Sequence, residues 1–205
     1  KIFGSSPEAQ LVIKENVASV NPIAGTYRRT GNDAEDARNA KALLEDPKEN
    51  AEHVMLVDLG RNDLGRVSEY GTVQVNDFMI TERYSHVMHL VSDVIGRLSA
   101  DKNSFDLLRA TFPAGTLSGA PKIRAMQIIE ELEVSKRGLY SGAIGYFTPQ
   151  GDFDFNVVIR SILYNATNNY VSYSVGGAIT AKSNPMKEYE ECLVKAKAMR
   201  EVLEG

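Results

Sequence analysis

One cysteine, three histidines and no surplus of positive charge are what this 205-residue sequence has least of, and each shortage excludes something. A lone Cys192 excludes an internal disulfide and fits a reducing compartment, the cytoplasm. It falls in an apolar helical pattern, which predicts a buried packing role. With 23 Lys and Arg against 27 Asp and Glu, a net charge of -4, the chain lacks the basic excess that attracts phosphate. A nucleic-acid groove and an anionic membrane surface are therefore not expected. No apolar run could span a bilayer, nothing resembles a signal peptide, and neither low-complexity tracts nor fixed-period repeats occur. What is present, 43% hydrophobic and 24% charged residues, suffices for one substantial core or for two subdomains sharing one sheet system. The opening "KIFGSSPEAQLVIKE" enters strand-like sequence at once without an initiator methionine, which predicts a C-terminal fragment of a larger chain.

"AQLVIKENVASVNPIAG" holds two β-like runs around a polar "KEN", a hairpin pattern, with Pro22 and Gly25 ending the second run. "DAEDARNAKALLED" reads as a solvent-facing helix broken at Pro47, and a second helix follows from Lys48 with Ala51, Val54 and Met55 on one stripe. Period-two alternation between Gly71 and Leu98 predicts two or three strands. A short helix in "SFDLLRA" precedes the Gly/Pro-rich loop "TFPAGTLSGAP" and the helix "PKIRAMQIIEELE". Three strand runs then follow, "GLYSGAIGYFT", "DFNVVIRSILYN" and "YVSYSVGGAITA", whose short turns imply an antiparallel meander. Ser183 or Asn184 caps a last helix running to about Leu203. Strands interspersed with helices and joined by hairpins favour a mainly antiparallel α+β fold, with sheets packed together and helices outside.

Two stretches nearly repeat: "KENAEH", with Glu49 and Glu52, and "KEYEEC", with Glu188 and Glu191. Each pair is spaced i, i+3 and shares a helix face, which by default is a solvated surface. Both pairs also open helices, where the dipole favours anions, and four carboxylates without histidine or cysteine partners suit Mg²⁺. His53 adjoins Glu52 but points to another side of its helix. "GTLSGAPK" lacks Walker spacing, since Gly115 and Gly119 stand too close and Pro121 removes an N–H beside Lys122; it can still offer backbone N–H groups and Thr116 to an anion. Arg160, inside the apolar run "FNVVIRSI", needs a carboxylate partner that is either structural or a ligand. Tyr140 and His89 read, on their own, as core residues.

Together "SSPE", "PIAGTYRR", "ENAEHVMLVDLGRNDLGRV", "SHVMHLVS", "TFPAGTLSGAPK", "RGLYSGAIGYF", "VVIRSI" and "GGAITAKSNPMKEYEE" occur in the order of one family. The chain resembles the C-terminal, chorismate-binding part of the anthranilate synthase component I family, within the chorismate-utilising enzymes, along nearly all its residues. Residues 1–205 are then one catalytic domain. "MLVDLGRNDLGRV" and "FPAGTLSGAPK" look like anthranilate or aminodeoxychorismate synthases rather than isochorismate synthases. The second of these typically carries a nucleophilic lysine where "PIAGT" places Ala24, which favours the first.

The resemblance implies roles residue by residue. Glu52 and Glu191 hold Mg²⁺, with Glu49 and Glu188 as outer ligands, and the ion binds the ring carboxylate of chorismate. Tyr140 and Arg160 hold the enolpyruvyl carboxylate, with charge from Lys195 and backbone hydrogen bonds from Gly176, Gly177 and Ala178. Gly25 and Thr26 contact the ring, Glu8 is the general acid at the departing C4 hydroxyl, and His89 assists pyruvate elimination. Ammonia comes from a glutamine amidotransferase subunit. An alternative of another class is a non-catalytic chorismate- or metal-binding module. Departures from the family pattern are Ala178 and Ser141 where glycine is usual, Tyr27 for a common arginine and Lys182 for a common aspartate; none removes a proposed catalytic group.

Overall fold

The computed structural model describes residues 1–181 and 183–205. Lys182, one of the departures just named, lies outside the described residues. In chain order the elements are strands β1 (Ile2–Gly4), β2 (Ala9–Lys14), β3 (Val17–Val20) and β4 (Ile23–Arg28), helices α1 (Asp33–Glu45) and α2 (Pro47–Gly65), and strands β5 (Gln74–Arg83) and β6 (Val87–Arg97). Helices α3 (Ser104–Thr111), α4 (Gly115–Ser118) and α5 (Lys122–Leu132) follow, then strands β7 (Ala143–Phe147), β8 (Phe153–Val157), β9 (Ser161–Asn165) and β10 (Tyr170–Tyr173), and helix α6 (Pro185–Glu204).

Local chemistry explains most boundaries. Glu15 and Asn16 take φ of 52° and 64°, the left-handed pair that a two-residue hairpin loop between β2 and β3 requires. Asn32, Asp46, Asn103 and Asn184 each accept backbone N–H bonds at a helix start, and Pro47 and Pro185 occupy first turns where a missing N–H costs nothing.

Among the described residues every strand pairing is antiparallel. A seven-stranded sheet runs β4-β6-β3-β2-β8-β7, with β5 on β6, and a three-stranded sheet runs β1-β9-β10. The main core packs α2 and α3 on the large sheet through Leu11, Val57, Leu64, Val94, Leu107 and Phe153. A second cluster joins α1 to β6 through Ala40, Leu43, Met88 and Leu90. This is the expected α+β arrangement of antiparallel sheets with helices outside. No helix among the described residues is long and apolar enough to cross a membrane.

Several local expectations are corrected. The second run does stop before Pro22, with β3 ending at Val20, but Gly25 ends nothing: "IAGTYR" forms β4, with Gly25 in an irregular step between Ala24 and Tyr27. The run at 154–165 is two strands in different sheets, broken before Arg160, whose φ of 49° lies outside the extended conformation. Tyr140 precedes β7 in a turn, and Gly176–Ala178 lie beyond β10 in extended chain outside any strand. The loop "TFPAGTLSGAP" contains α4. Helix α2 buries His53, Leu56, Val57, Gly60 and Leu64, whereas Ala51 and Val54 are exposed, so the predicted stripe faces the wrong way. Cys192 is only partly buried.

Candidate functional site

The first turns of α2 and α6 face one another. Lys48 at the start of α2 reaches 3.3 Å across to the buried Glu188 of α6. Glu52 lies within electrostatic range of Glu191 and Glu188, and of Lys48 and Lys195. Its carboxyl is pushed above the ordinary range by burial first, with those glutamates adding to the rise and the lysines opposing it. Glu49 is raised likewise, by burial and then by Glu52, with Asp46 and Glu191 contributing. Glu191 pairs with Lys195 at 2.5 Å along α6. The two sequence repeats thus form one acidic centre, and Glu190 is exposed outside it.

Fitness for a cation follows from the donor chemistry. Four carboxylates and two ammonium groups leave the centre two negative charges in excess, all on hard oxygen donors. Among the described residues no three His, Cys, Asp or Glu side chains close on a single point. A dedicated cage is not what Mg²⁺ takes: it keeps several waters and binds through one or two carboxylates plus an anionic substrate.

The remaining predicted residues ring this centre. Gly25 sits at φ 65°, a conformation that favours glycine, and a Cβ there would lie 2.7 Å from Leu43 Cδ1 of α1 and 3.2 Å from Glu49 Oε2 of α2. His89 on β6 places Nδ1 2.7 Å from the Gly25 carbonyl and 3.2 Å from the exposed Thr26 Oγ1. Lys195 Nζ donates to the Gly176 carbonyl at 3.1 Å. A Cβ on Gly176 would fall 2.7 Å from the Tyr140 hydroxyl, and one on Gly177 3.3 Å from Glu188 Oε2. Ala178 follows in the same segment, partly buried, and its methyl is accommodated. The Tyr140 phenol is raised chiefly by burial, with Arg160 among the nearby charges opposing.

On the other side, Thr116 of α4 donates a short hydrogen bond to the Glu8 carboxylate. Burial lifts the Glu8 carboxyl above its ordinary range, and the Thr116 hydrogen bond, Lys195 and Arg160 pull it part of the way back. Arg160 and Lys195 therefore connect Glu8 to the Tyr140–Gly176 side. Charge effects link Glu8 to Arg160 and Lys195, and Lys195 to Glu52, while hydrogen bonds or close backbone approach relate Thr116, Gly25, Thr26, His89 and the Gly176 segment to these groups. The region combines an acid whose pKa burial raises, two cations near enough to act on it, and an acidic centre of hard oxygen donors.

Three polar residues of this region were given no role by the sequence. Lys48 was legible only as part of the repeated Lys-Glu, which gives no sign that it crosses to α6. His53 is buried, with Nε2 2.6 Å from Ser92 Oγ, and burial lowers its pKa. Lys122 is locked to the buried Asp63 at 2.6 Å and to the carbonyls of Thr111 and Pro113, both at 2.8 Å, so it anchors the α4 segment rather than cradling a phosphate.

A fold of antiparallel sheets carrying this combination defines the class, and the chain belongs to the chorismate binding enzyme family, whose model matches residues 1–201. It is 52% identical over 204 residues to anthranilate synthase component 1 of Aquifex aeolicus, covering 100% of this chain and 41% of that protein. The crystal structure of anthranilate synthase component I from Streptococcus pneumoniae superposes with a TM-score of 0.83 at 46% identity, over 97% of this chain and 43% of that one. A putative 2,3-dihydroxybenzoate-specific isochorismate synthase from Bacillus anthracis gives a TM-score of 0.84 at 27% identity, over 98% of this chain and 53% of that one. The chain thus spans about two-fifths of the length of the curated relative, from 41% coverage.

Proposed function

We propose that this chain carries the catalytic surface of an anthranilate synthase component 1, converting chorismate and ammonia into anthranilate, pyruvate and water. The observation that carries the reading is the convergence of the α2 and α6 glutamates beside Glu8, Arg160 and Lys195. Glu52 and Glu191 would hold Mg²⁺ with Glu49 and Glu188 behind them. The ion, when bound, would neutralise the ring carboxylate and polarise the substrate. Arg160, Tyr140 and Lys195 orient the enolpyruvyl carboxylate, and Gly25 and Thr26 meet the ring. Glu8, whose pKa burial raises and which Thr116 positions, protonates the C4 hydroxyl so that it departs as water while ammonia adds at C2. His89, fixed by the Gly25 carbonyl, assists the elimination of pyruvate that makes the ring aromatic. Ammonia is supplied by a glutamine amidotransferase subunit, and the working compartment is the cytoplasm.

Ala24 is 7% exposed within β4 and offers no nucleophile, which favours this product over 4-amino-4-deoxychorismate. The test is product analysis of the intact full-length protein with chorismate, Mg²⁺ and ammonium. Fluorescent anthranilate is expected; 4-amino-4-deoxychorismate without it would sink the assignment, and binding of chorismate with Mg²⁺ but no turnover would point to a binding module. Glu52→Gln and Glu191→Gln should each abolish most Mg²⁺-dependent activity while melting like the parent. Unchanged activity in either variant refutes the metal assignment.

A further inference from the structure

Pairing between β2 and β8 slips between Ala9 and Leu11, leaving Gln10 as the extra residue of a β-bulge. Bulges of this kind re-aim a side chain. Gln10 is 6% exposed, and neither its amide oxygen nor its amide nitrogen meets a protein partner. It shares the wall of a cavity of about 50 Å³ with Glu8, Asn21, Asp63 and Thr116, lined from α2 by Leu56, Leu59 and Gly60. Most of that polar wall is committed elsewhere. Asp63 accepts from Lys122, Asn21 donates to Asp93 at 3.1 Å, and Thr116 donates to Glu8. Gln10, with two donors and two acceptor lone pairs, and the second oxygen of Glu8 retain their capacity. The space exceeds the roughly 10–15 Å³ that a single water requires.

We propose that this cavity is a binding site for one ordered water, fixed by the Gln10 amide against the Glu8 carboxyl, which makes Gln10 a positioning residue for the general acid. The proposal rests on the role given to Glu8 above. A water donates to the Gln10 carbonyl and accepts from its NH₂ group. Its second hydrogen goes to a Glu8 oxygen, which leaves the carboxyl proton for the substrate. Glu8 is thereby held from two sides through the cycle, by Thr116 at one oxygen and by the water at the other.

Crystallography of the intact protein at high resolution is expected to show a water within hydrogen-bond distance of Gln10 and Glu8, absent in Gln10→Met. A dry cavity, or a direct bond between the two side chains, overturns the proposal. This readout does not depend on the product, so it stands if the reaction proves to be another one. Kinetics supply a second arm. Gln10→Met keeps the length and loses both polar atoms, whereas Gln10→Asn keeps the amide and packs worse. Turnover should fall in the order wild type, Asn, Met, with Met losing roughly tenfold in kcat, a fraction of what a general acid contributes. KM for chorismate and ammonium should stay within about twofold, while Met remains at least as thermally stable as Asn. Turnover that follows stability instead would mean a packing role. A raised KM for ammonium with kcat intact would mean that the cavity carries ammonia; either result overturns the water.

Discussion

Thr116 and Glu8 show how a single hydrogen bond sets the working range of an acid. Burial raises the Glu8 carboxyl, and the Thr116 hydroxyl, donating to the ionised form, brings it down. Because the folded value lies above the unfolded one, the stability Glu8 contributes is complete below the ordinary carboxylate range and is lost as pH rises through the raised value. Thr116→Val removes the opposing hydrogen bond, so the alkaline limb of the kcat profile should move to higher pH, with plateau kcat falling about threefold to tenfold as orientation is lost. A limb that moves down or stays in place contradicts this account. Ser141 carries a different kind of information. It stands at φ 69°, a conformation that favours glycine, where the family usually has glycine. Ser141→Gly should therefore raise stability by roughly 0.5–1 kcal/mol in urea titrations, less whatever its 3.3 Å hydrogen bond from Arg137 contributes. The identities of the site residues were legible in sequence because motifs specify types. Lys48, Gln10 and Asp63 were not, since each acquires its role only when a distant element arrives beside it.

At the scale of elements, the helix starts were the most readable features and the strand ends the least. Caps are local chemistry, a side chain and N–H groups two and three residues on, so Asn184 and the break at Pro47 could be read directly. The break in 154–165 could not. The apolar run through Val157, Val158 and Ile159 is continuous, and only tertiary structure sends β8 and β9 to separate sheets around a strained Arg160. The buried face of α2 was misread for a related reason: two of its members, His53 and Gly60, carry no hydrophobic signal. Asp46 links capping to the acidic centre, because its carboxylate accepts from the N–H groups of Lys48 at 2.8 Å and Glu49 at 3.2 Å. Asp46→Ala should cost about 1 kcal/mol of stability and weaken Mg²⁺ binding as the first turn frays. Asp46→Asn, which retains the cap, should restore most of both in calorimetric titrations. If Asn binds Mg²⁺ as weakly as Ala, the charge of Asp46 matters and the cap does not.

For the whole molecule, the consequence lies in how α6 is attached. Its buried residues are Glu188, Ala196 and Met199, while Leu193, Val194 and Val202 are 47%, 72% and 76% exposed. Two polar contacts tie it to the body, Glu188 to Lys48 across to α2 and Lys195 to the Gly176 carbonyl. β6, in contrast, pairs along both edges in the middle of the large sheet and buries Met88, Leu90 and Val94 completely. Local opening free energies should differ accordingly, low for α6 and close to global for β6. A cation shared by α2 and α6, with a substrate bridging Arg160 and Lys195, would stabilise the attached state by mass action. Hydrogen exchange should therefore be slow in β6 and fast in residues 185–204 of the free protein, and Mg²⁺ with chorismate should slow α6 selectively. Each ligand alone should give a smaller effect than both together, because each completes part of the other's site. If both ligands saturate and α6 exchanges as before, the metal and substrate are held without α6, and Glu188 and Glu191 take no part in binding the ion.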